Sequence, residues 1–364
     1  MNPRLLVSRC LLSGVLLLAG AAWAETLTIG NFGGANGRAQ AVAFQKPFSA
    51  QFGTPVVAVE YDGGLAQVRR MVQQGRVEWD VVEVESDDLV AGCAAGLFER
   101  VDRSELQYSS MLVPGTIRDC GVGAFIWSTV LAYDADKIAA GPRTWADFWD
   151  VERFHGKRGL RKGPRYNLEM ALMADGVARA DVYRVLATPQ GLDRALRKLQ
   201  ALKPWIVWWE SGAQPAKMLA DGQVAMTTAY NGRIAAANGA SAESHLAIVW
   251  PDSIYEFDYW AIPKGSPHRQ LAMNYVNLAT SAEAQLAFSR EIPYGPTNFK
   301  AILDYDAKRH GRVSNQTQAV IDLSMVESDL PSAPGNLRKA LPFDAEFWVK
   351  YGRAIEERFD AAMR

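Results

Sequence analysis

From residue 27 onward, short apolar runs alternate with longer stretches in which apolar side chains recur every three or four positions. Leu27-Thr28-Ile29, Val56-Val57-Ala58-Val59 and Trp79-Asp80-Val81-Val82-Glu83-Val84 read as strands. Between them, Ala41, Phe44 and Phe48, then Leu65, Val68 and Met71, mark apolar faces at helical spacing. Ser86-Asp87-Asp88 follows, with side chains suited to cap a helix N-terminus. This β-α-β-α-β-α order predicts a parallel sheet covered by helices.

A second set of elements follows. Trp127–Tyr133 is a long extended run, and Thr144 stands where it would cap a helix beginning at Trp145. Leu160 opens a strand-to-loop segment ending at Tyr166, ahead of a helix through Met170 and Met173. Leu192, Ala195, Leu196 and Leu199 line one face of another helix. Val224–Tyr230 and Leu246–Val249 read as strands, and Tyr255–Pro263 as a return crossing. A last helix starts at Asp344, with Phe347, Tyr351, Ile355 and Phe359 on one stripe. The pattern predicts an α/β fold of two lobes, each a mainly parallel sheet flanked by helices. The first would comprise residues 25–130 and 259–364, the second 131–258, with hinge crossings near 130 and 258. Loops at the carboxyl ends of strands from both lobes would then line a cleft.

The first 24 residues fall outside this pattern. Arg4 and Arg9 precede an apolar stretch from Cys10 to Ala22, and Ala22-Trp23-Ala24 supplies a small-x-small cleavage site. The apolar run is about 13 residues, short of the ~20 needed to span a bilayer. Residues 1–24 therefore read as a cleaved secretory signal, which places the mature protein in the periplasm.

Composition narrows the function. The 364 residues carry 39 basic and 40 acidic side chains, a net charge of −1 with no basic surplus for nucleic acid. Removing the leader takes away Arg4, Arg9 and Cys10, so the charge becomes −3 and only Cys93 and Cys120 remain. In an exported chain these two most simply form one disulfide; two buried thiols are the alternative. Four histidines are dispersed, with no HExxH and no CxxC, so no metal site or cofactor is expected. No GxSxG, P-loop or GxGxxG is present, and no nucleophile stands with a base, so the chain reads as a binding protein rather than an enzyme. The loop Gly30-Asn31-Phe32-Gly33-Gly34 after the first strand fits either an anion site or a tight turn with close backbone approach.

Aromatic residues stand beside charges at three strand ends: Trp208-Trp209-Glu210, Tyr230-Asn231-Gly232-Arg233, and Tyr255–Trp260 around Asp258. Aromatic faces hold alkyl stems and cations, and rim carboxylates neutralise an ammonium. Each cluster alone also fits core packing; three at strand ends point to a shared cleft for a small amine-containing solute.

With these residues in view, the chain resembles the periplasmic solute-binding proteins of bacterial ABC importers, in particular their spermidine/putrescine-binding group. The resemblance rests on Trp79-Asp80-Val81-Val82, Thr144–Trp149, Tyr230-Asn231-Gly232, and Phe257-Asp258 leading to Ala261-Ile262-Pro263. It implies a monomeric two-lobed protein that closes on its ligand by a hinge and docks on an ABC permease in the inner membrane. It also implies that Phe32, with Gly33 beside it, and Tyr230 supply pocket surface, and that Asp258 binds a ligand ammonium. Glu85 and Asp87 stand where a hydroxyl and a tyrosine usually line the pocket.

The departures from that pattern set the expected ligand. Polyamine binders carry an acidic pair before the Met170-Ala171-Leu172 helix; here Arg161, Lys162 and Arg165 precede it. Arg233 takes a position that is small in polyamine binders. A guanidinium there would clamp a carboxylate, unless it forms a structural ion pair within one lobe. One end of the cleft thus reads amine and the other acid, which suits a short ω-amino acid. The resemblance extends to a γ-aminobutyrate-binding subgroup, and 5-aminovalerate is one methylene longer. A polyamine such as putrescine or spermidine is the alternative.

Overall fold

A computed structural model describes residues 25–309 and 330–364; the signal expected at 1–24 lies outside the described residues. Ten strands among them form one hydrogen-bonded sheet. They are β1 (Leu27–Asn31), β2 (Val56–Glu60), β3 (Val81–Val84), β4 (Ile117–Arg118), β5 (Gly121–Asp134), β6 (Arg158–Arg161), β7 (Ile206–Trp209), β8 (Met226–Tyr230), β9 (Leu246–Ala261) and β10 (Leu341–Pro342). Their order is β2-β1-β3-β9-β5-β8-β6-β7, with β10 beside β9 and β4 beside β5. β2, β1 and β3 run parallel, as do β7, β6 and β8. These two groups are the two lobes of the expected α/β architecture.

The antiparallel pair β5 and β9 joins them. At 14 and 16 residues these strands are long enough to serve both lobes. β9 pairs with β3 through Tyr259–Ala261, whereas β5 pairs with β8 through Thr129–Tyr133. Two register shifts, at Gly123/Phe125 and Thr129/Leu131, interrupt their ladder and bend it locally. Leu246–Val249 and Tyr255–Pro263, legible as separate runs, lie largely in one strand.

Periodicity accounts for most elements. β3 is buried along its whole length, as expected of an inner strand covered on both faces. On one face of the first lobe, Phe44 stacks on Phe288 at 5.0 Å and meets Trp260 edge-on at 6.0 Å. Thr144 and Asp147 form a reciprocal capping box on helix Trp145–Trp149. The cap expected from Ser86-Asp87-Asp88 is not made. Glu85 is the N-cap residue and its side chain makes no cap on the helix Ser86–Ala94, whose Ser86 amide donates to Glu256 at 3.0 Å. The Ser86 hydroxyl instead donates to Glu256 at 2.6 Å, and Asp87 pairs with Arg165 at 2.7 Å. Both side chains are drawn away from the helix end by partners elsewhere in the chain.

Cys93 and Cys120 form a disulfide with 5.7 Å between Cα atoms, which decides against buried thiols. It ties helix Ser86–Ala94 to the segment entering β5, and closing a loop of this size contributes on the order of 3 kcal/mol. The last helix, Ala345–Met363, buries Phe347, Ile355 and Phe359 as its spacing predicts. It packs against both Ser86–Ala94 and Pro189–Leu202, so it touches both lobes, although its position in the sequence allots it to the first.

Under this helix, Glu169 is fully buried and accepts a hydrogen bond from Trp348 Nε1 at 2.7 Å. Burial pushes its carboxyl up to about 7. The folded chain keeps that proton where the unfolded chain, with an ordinary carboxyl of 4.5, has lost it. This group's contribution to stability therefore falls as pH rises from about 4.5 to 7, by up to about 3 kcal/mol. Urea unfolding at about pH 5 and pH 7.5 should show the decline, reduced in Glu169→Gln. An identical pH slope in that variant would contradict the assignment.

Candidate functional site

The first lobe contributes the loop after β1. Asn31 is buried at the strand end, and its Oδ1 accepts from the Gly33 amide at 3.0 Å. Gly33 has φ +57°, and a Cβ there would lie 1.9 Å from Cδ of Glu60. Only glycine fits both the conformation and the space. The turn sets the Phe32 ring 5.2 Å from that of Tyr61.

Beneath this loop lies an acidic pair. Glu83 pairs across the ladder with Trp260, so its side chain shares a sheet face with Asp258, one diagonal step away. Both are buried. Glu83 accepts from Asn36 Nδ2 at 2.7 Å, Gln40 Nε2 at 2.8 Å and the Phe32 amide at 3.2 Å. Asp258 accepts from Trp127 Nε1 at 2.7 Å. Burial raises both carboxyls above their ordinary range. Glu83, with three donors, is the better-solvated of the two carboxyls.

Facing them, helix Asn231–Ala240 starts directly after β8. Asn231 fastens it, accepting from the Ser128 amide at 3.0 Å and donating to the Pro293 carbonyl at 2.7 Å. A Cβ on Gly232 would lie 2.5 Å from Cε1 of Tyr294, so only glycine allows this approach. Arg233 then reaches the first lobe: a Cβ on Gly34 would sit 2.7 Å from its Nη1. Tyr294 lies close enough to Arg233 to feel its charge. Among the described residues no carboxylate lies within ion-pair distance of Arg233, and its Nε is buried without a partner. The structural ion pair, the alternative reading of this residue, is not found among the described residues. Tyr230 flanks it, edge-on to Trp127 at 4.9 Å and to Trp209 at 5.4 Å.

Beside this centre, charges pair between the lobes. Arg165 bonds Asp87 at 2.7 Å and lies 3.9 Å from Glu85, and Arg161 lies 3.8 Å from Glu85. Asp87 is thus paired and Glu85 partly offset, by the arginines that precede the Met170-Ala171-Leu172 helix. Arg161 keeps a buried Nη1 without a partner. Glu256 accepts from Ser86 of the first lobe and from the Tyr166 hydroxyl of the second, at 2.6 and 2.7 Å. Tyr166 holds φ +66°, which non-glycine residues rarely adopt, so its placement stores strain of order 1–3 kcal/mol.

Of the residues selected from sequence, Arg233 approaches Gly34, next to Gly33, and lies with Tyr230 against Gly212. Tyr230 meets Trp127, which bonds Asp258, and the Phe32 amide bonds Glu83, whereas Glu85 and Asp87 lie against Arg161 and Arg165. Trp208 does not belong to this group. Its ring packs on Phe359 of the last helix at 6.0 Å, whereas Trp209 is buried behind Tyr230. Successive side chains of a strand point to opposite faces, so both tryptophans could not serve the cleft. Glu83, Trp127 and Tyr294 were not anticipated. The signal for Glu83 was present, as a lone acid inside the apolar run Val81–Val84.

The description "bacterial extracellular solute-binding protein" matches residues 43–314 as a family profile. A gamma-aminobutyric acid-binding protein of Pseudomonas aeruginosa is 49% identical over 355 residues, covering 97% of this chain and 96% of that one. Among solved structures, the Atu4243–GABA receptor superposes with a TM-score of 0.79 at 29% identity, over 93% of this chain and 98% of the other. An ABC transporter substrate-binding protein from Bradyrhizobium japonicum does so at 0.80 and 31%, over 93% and 100%.

Proposed function

Since the chain belongs to the bacterial extracellular solute-binding proteins, we propose that it captures a short ω-amino acid, γ-aminobutyrate or 5-aminovalerate, for import through an ABC permease. The observation that carries this reading is Arg233, a cleft guanidinium with no carboxylate partner among the described residues, facing the acid pair of Asp258 and Glu83. A ligand with a carboxylate at one end and an ammonium at the other satisfies both. A polyamine would leave Arg233 unpaired against a like charge, at a cost of several kcal/mol for a buried ion. The relatives named for γ-aminobutyrate support the same ligand class. The finer placement, in the γ-aminobutyrate subgroup of the spermidine/putrescine-binding group, is part of this proposal, as are the cleaved signal, the periplasmic location and the monomeric state.

The proposed movement is closure about β5 and β9, with crossings near residues 130 and 258. Ligand bound on one lobe meets partners on the other, and Arg165–Asp87 and Ser86–Glu256 then link the lobes. A thermal-shift panel of γ-aminobutyrate, 5-aminovalerate, putrescine, spermidine and α-amino acids tests the reading. At a hundredfold excess over Kd the right ligand adds about 2.7 kcal/mol. Stabilisation by diamines alone would overturn it.

A further inference from the structure

We propose that Glu83 and Asp258 hold one proton between them in the ligand-free cleft, and that a ligand ammonium takes its place, so that capture exchanges a cation for a proton. This deepens the ω-amino acid reading and rests on it. Glu83 is a positioning residue here, acting through Asp258.

Three features of the site carry the inference. The β3–β9 register puts the two side chains on one face, a diagonal step apart, in the interior of the sheet. Two carboxylates so placed cannot both be ionised without a compensating cation. The donors around them are unequal, Asn36, Gln40 and the Phe32 amide on Glu83 against Trp127 on Asp258. Glu83 therefore remains the acceptor and Asp258 carries the proton. Among the described residues no lysine or arginine pairs with either acid; the cationic group of the cleft, Arg233, meets Tyr294 and Gly34 instead.

The surrounding titratable groups do not supply the missing charge. Tyr61, Tyr275 and Tyr294 stay neutral at physiological pH because burial raises their phenols. Glu85 adds negative charge, partly offset by Arg161 and Arg165. A neutral ligand terminus would find a protonated Asp258 already bonded to Glu83 and gain little. An ammonium finds two oxygens whose negative charge its own charge balances, once the proton leaves for solvent. Glu83 thereby makes a full positive charge the condition for binding at this end.

Proton linkage fixes the sign. Where the free pair is protonated and the bound pair is not, binding releases one proton, and affinity rises with pH by about tenfold per unit. The dependence ends above the free-state value and below the bound-state value.

Calorimetry of γ-aminobutyrate binding near neutral pH, in buffers of different ionisation enthalpy, reads the released proton directly. The ligand keeps both charges there. Close to one proton per ligand is expected for the wild-type chain, and none for Glu83→Gln, whose amide can donate to an ionised Asp258. Binding heat that does not vary with buffer in the wild type, or undiminished release in Glu83→Gln, would overturn the proposal while leaving the ligand reading intact. Absence of any binding would instead refute the ligand reading. Infrared titration of the ligand-free protein then decides the proton: a buried protonated-carboxyl component lost in Asp258→Asn supports it, and a spectrum in which no such component is lost overturns it. Circular dichroism confirms that both variants are folded.

Discussion

Replacing Arg233 by alanine is expected to abolish γ-aminobutyrate binding, weakening it by 2–5 kcal/mol or about thirtyfold to several thousandfold. The argument begins at Gly232 and Asn231. A residue with no side chain against Tyr294, and an amide anchored to Ser128 and Pro293, hold the first turn of the helix close to the cleft. Arg233 is carried with that turn until its guanidinium meets Gly34 of the other lobe. Its buried Nε has no partner, so a ligand carboxylate would complete its hydrogen bonds and neutralise its charge. The alanine variant loses both, and the ligand carboxylate would be buried without a counter-ion. Diamine affinity should hold or rise, because a like charge has left the cleft. Isothermal calorimetry reads both; an unchanged γ-aminobutyrate affinity would sink the assignment.

Asp258→Asn should remove binding of every amine, γ-aminobutyrate and putrescine alike, by a similar 2–5 kcal/mol. The substitution keeps the size and an oxygen for Trp127 Nε1, so packing between β5 and β9 is preserved. What it removes is the carboxylate that an ammonium needs, leaving Glu83 alone with its three donors. The pair of variants is diagnostic, since one should discriminate between amines and amino acids and the other should not. Equal losses for putrescine in both would show that Arg233 acts on the shape of the cleft rather than on a carboxylate.

Legibility along the chain followed the range of the interactions involved. β1, β2 and the helical faces of Phe44 and Met71 could be read because period and burial are local properties. Thr144 could be read as a cap because its partner, Asp147, lies three residues away. Ser86 could not, because its hydroxyl finds Glu256 170 residues on. Trp208 and Trp209 are indistinguishable as letters, and strand alternation separates them only once the face toward the cleft is known. Glu83 was hidden by its surroundings, since an acid inside a valine run shows that something compensates it but not what.

The sequence by itself determined the α/β alternation, the presence of one cysteine pair in the chain after its leader, and the chemical opposition of Arg233 and Asp258 within one chain. Hydrophobic period, cysteine parity and side-chain charge are written residue by residue. Only the tertiary structure decided which charges are paired within the chain. Glu85 and Asp87 are matched by Arg165 and Arg161 across the lobes, Asp258 is doubled by Glu83 across a ladder, and Arg233 pairs with no acid among the described residues. Electrostatic pairing depends on distance in space and on burial, and neither is a property of the order of residues.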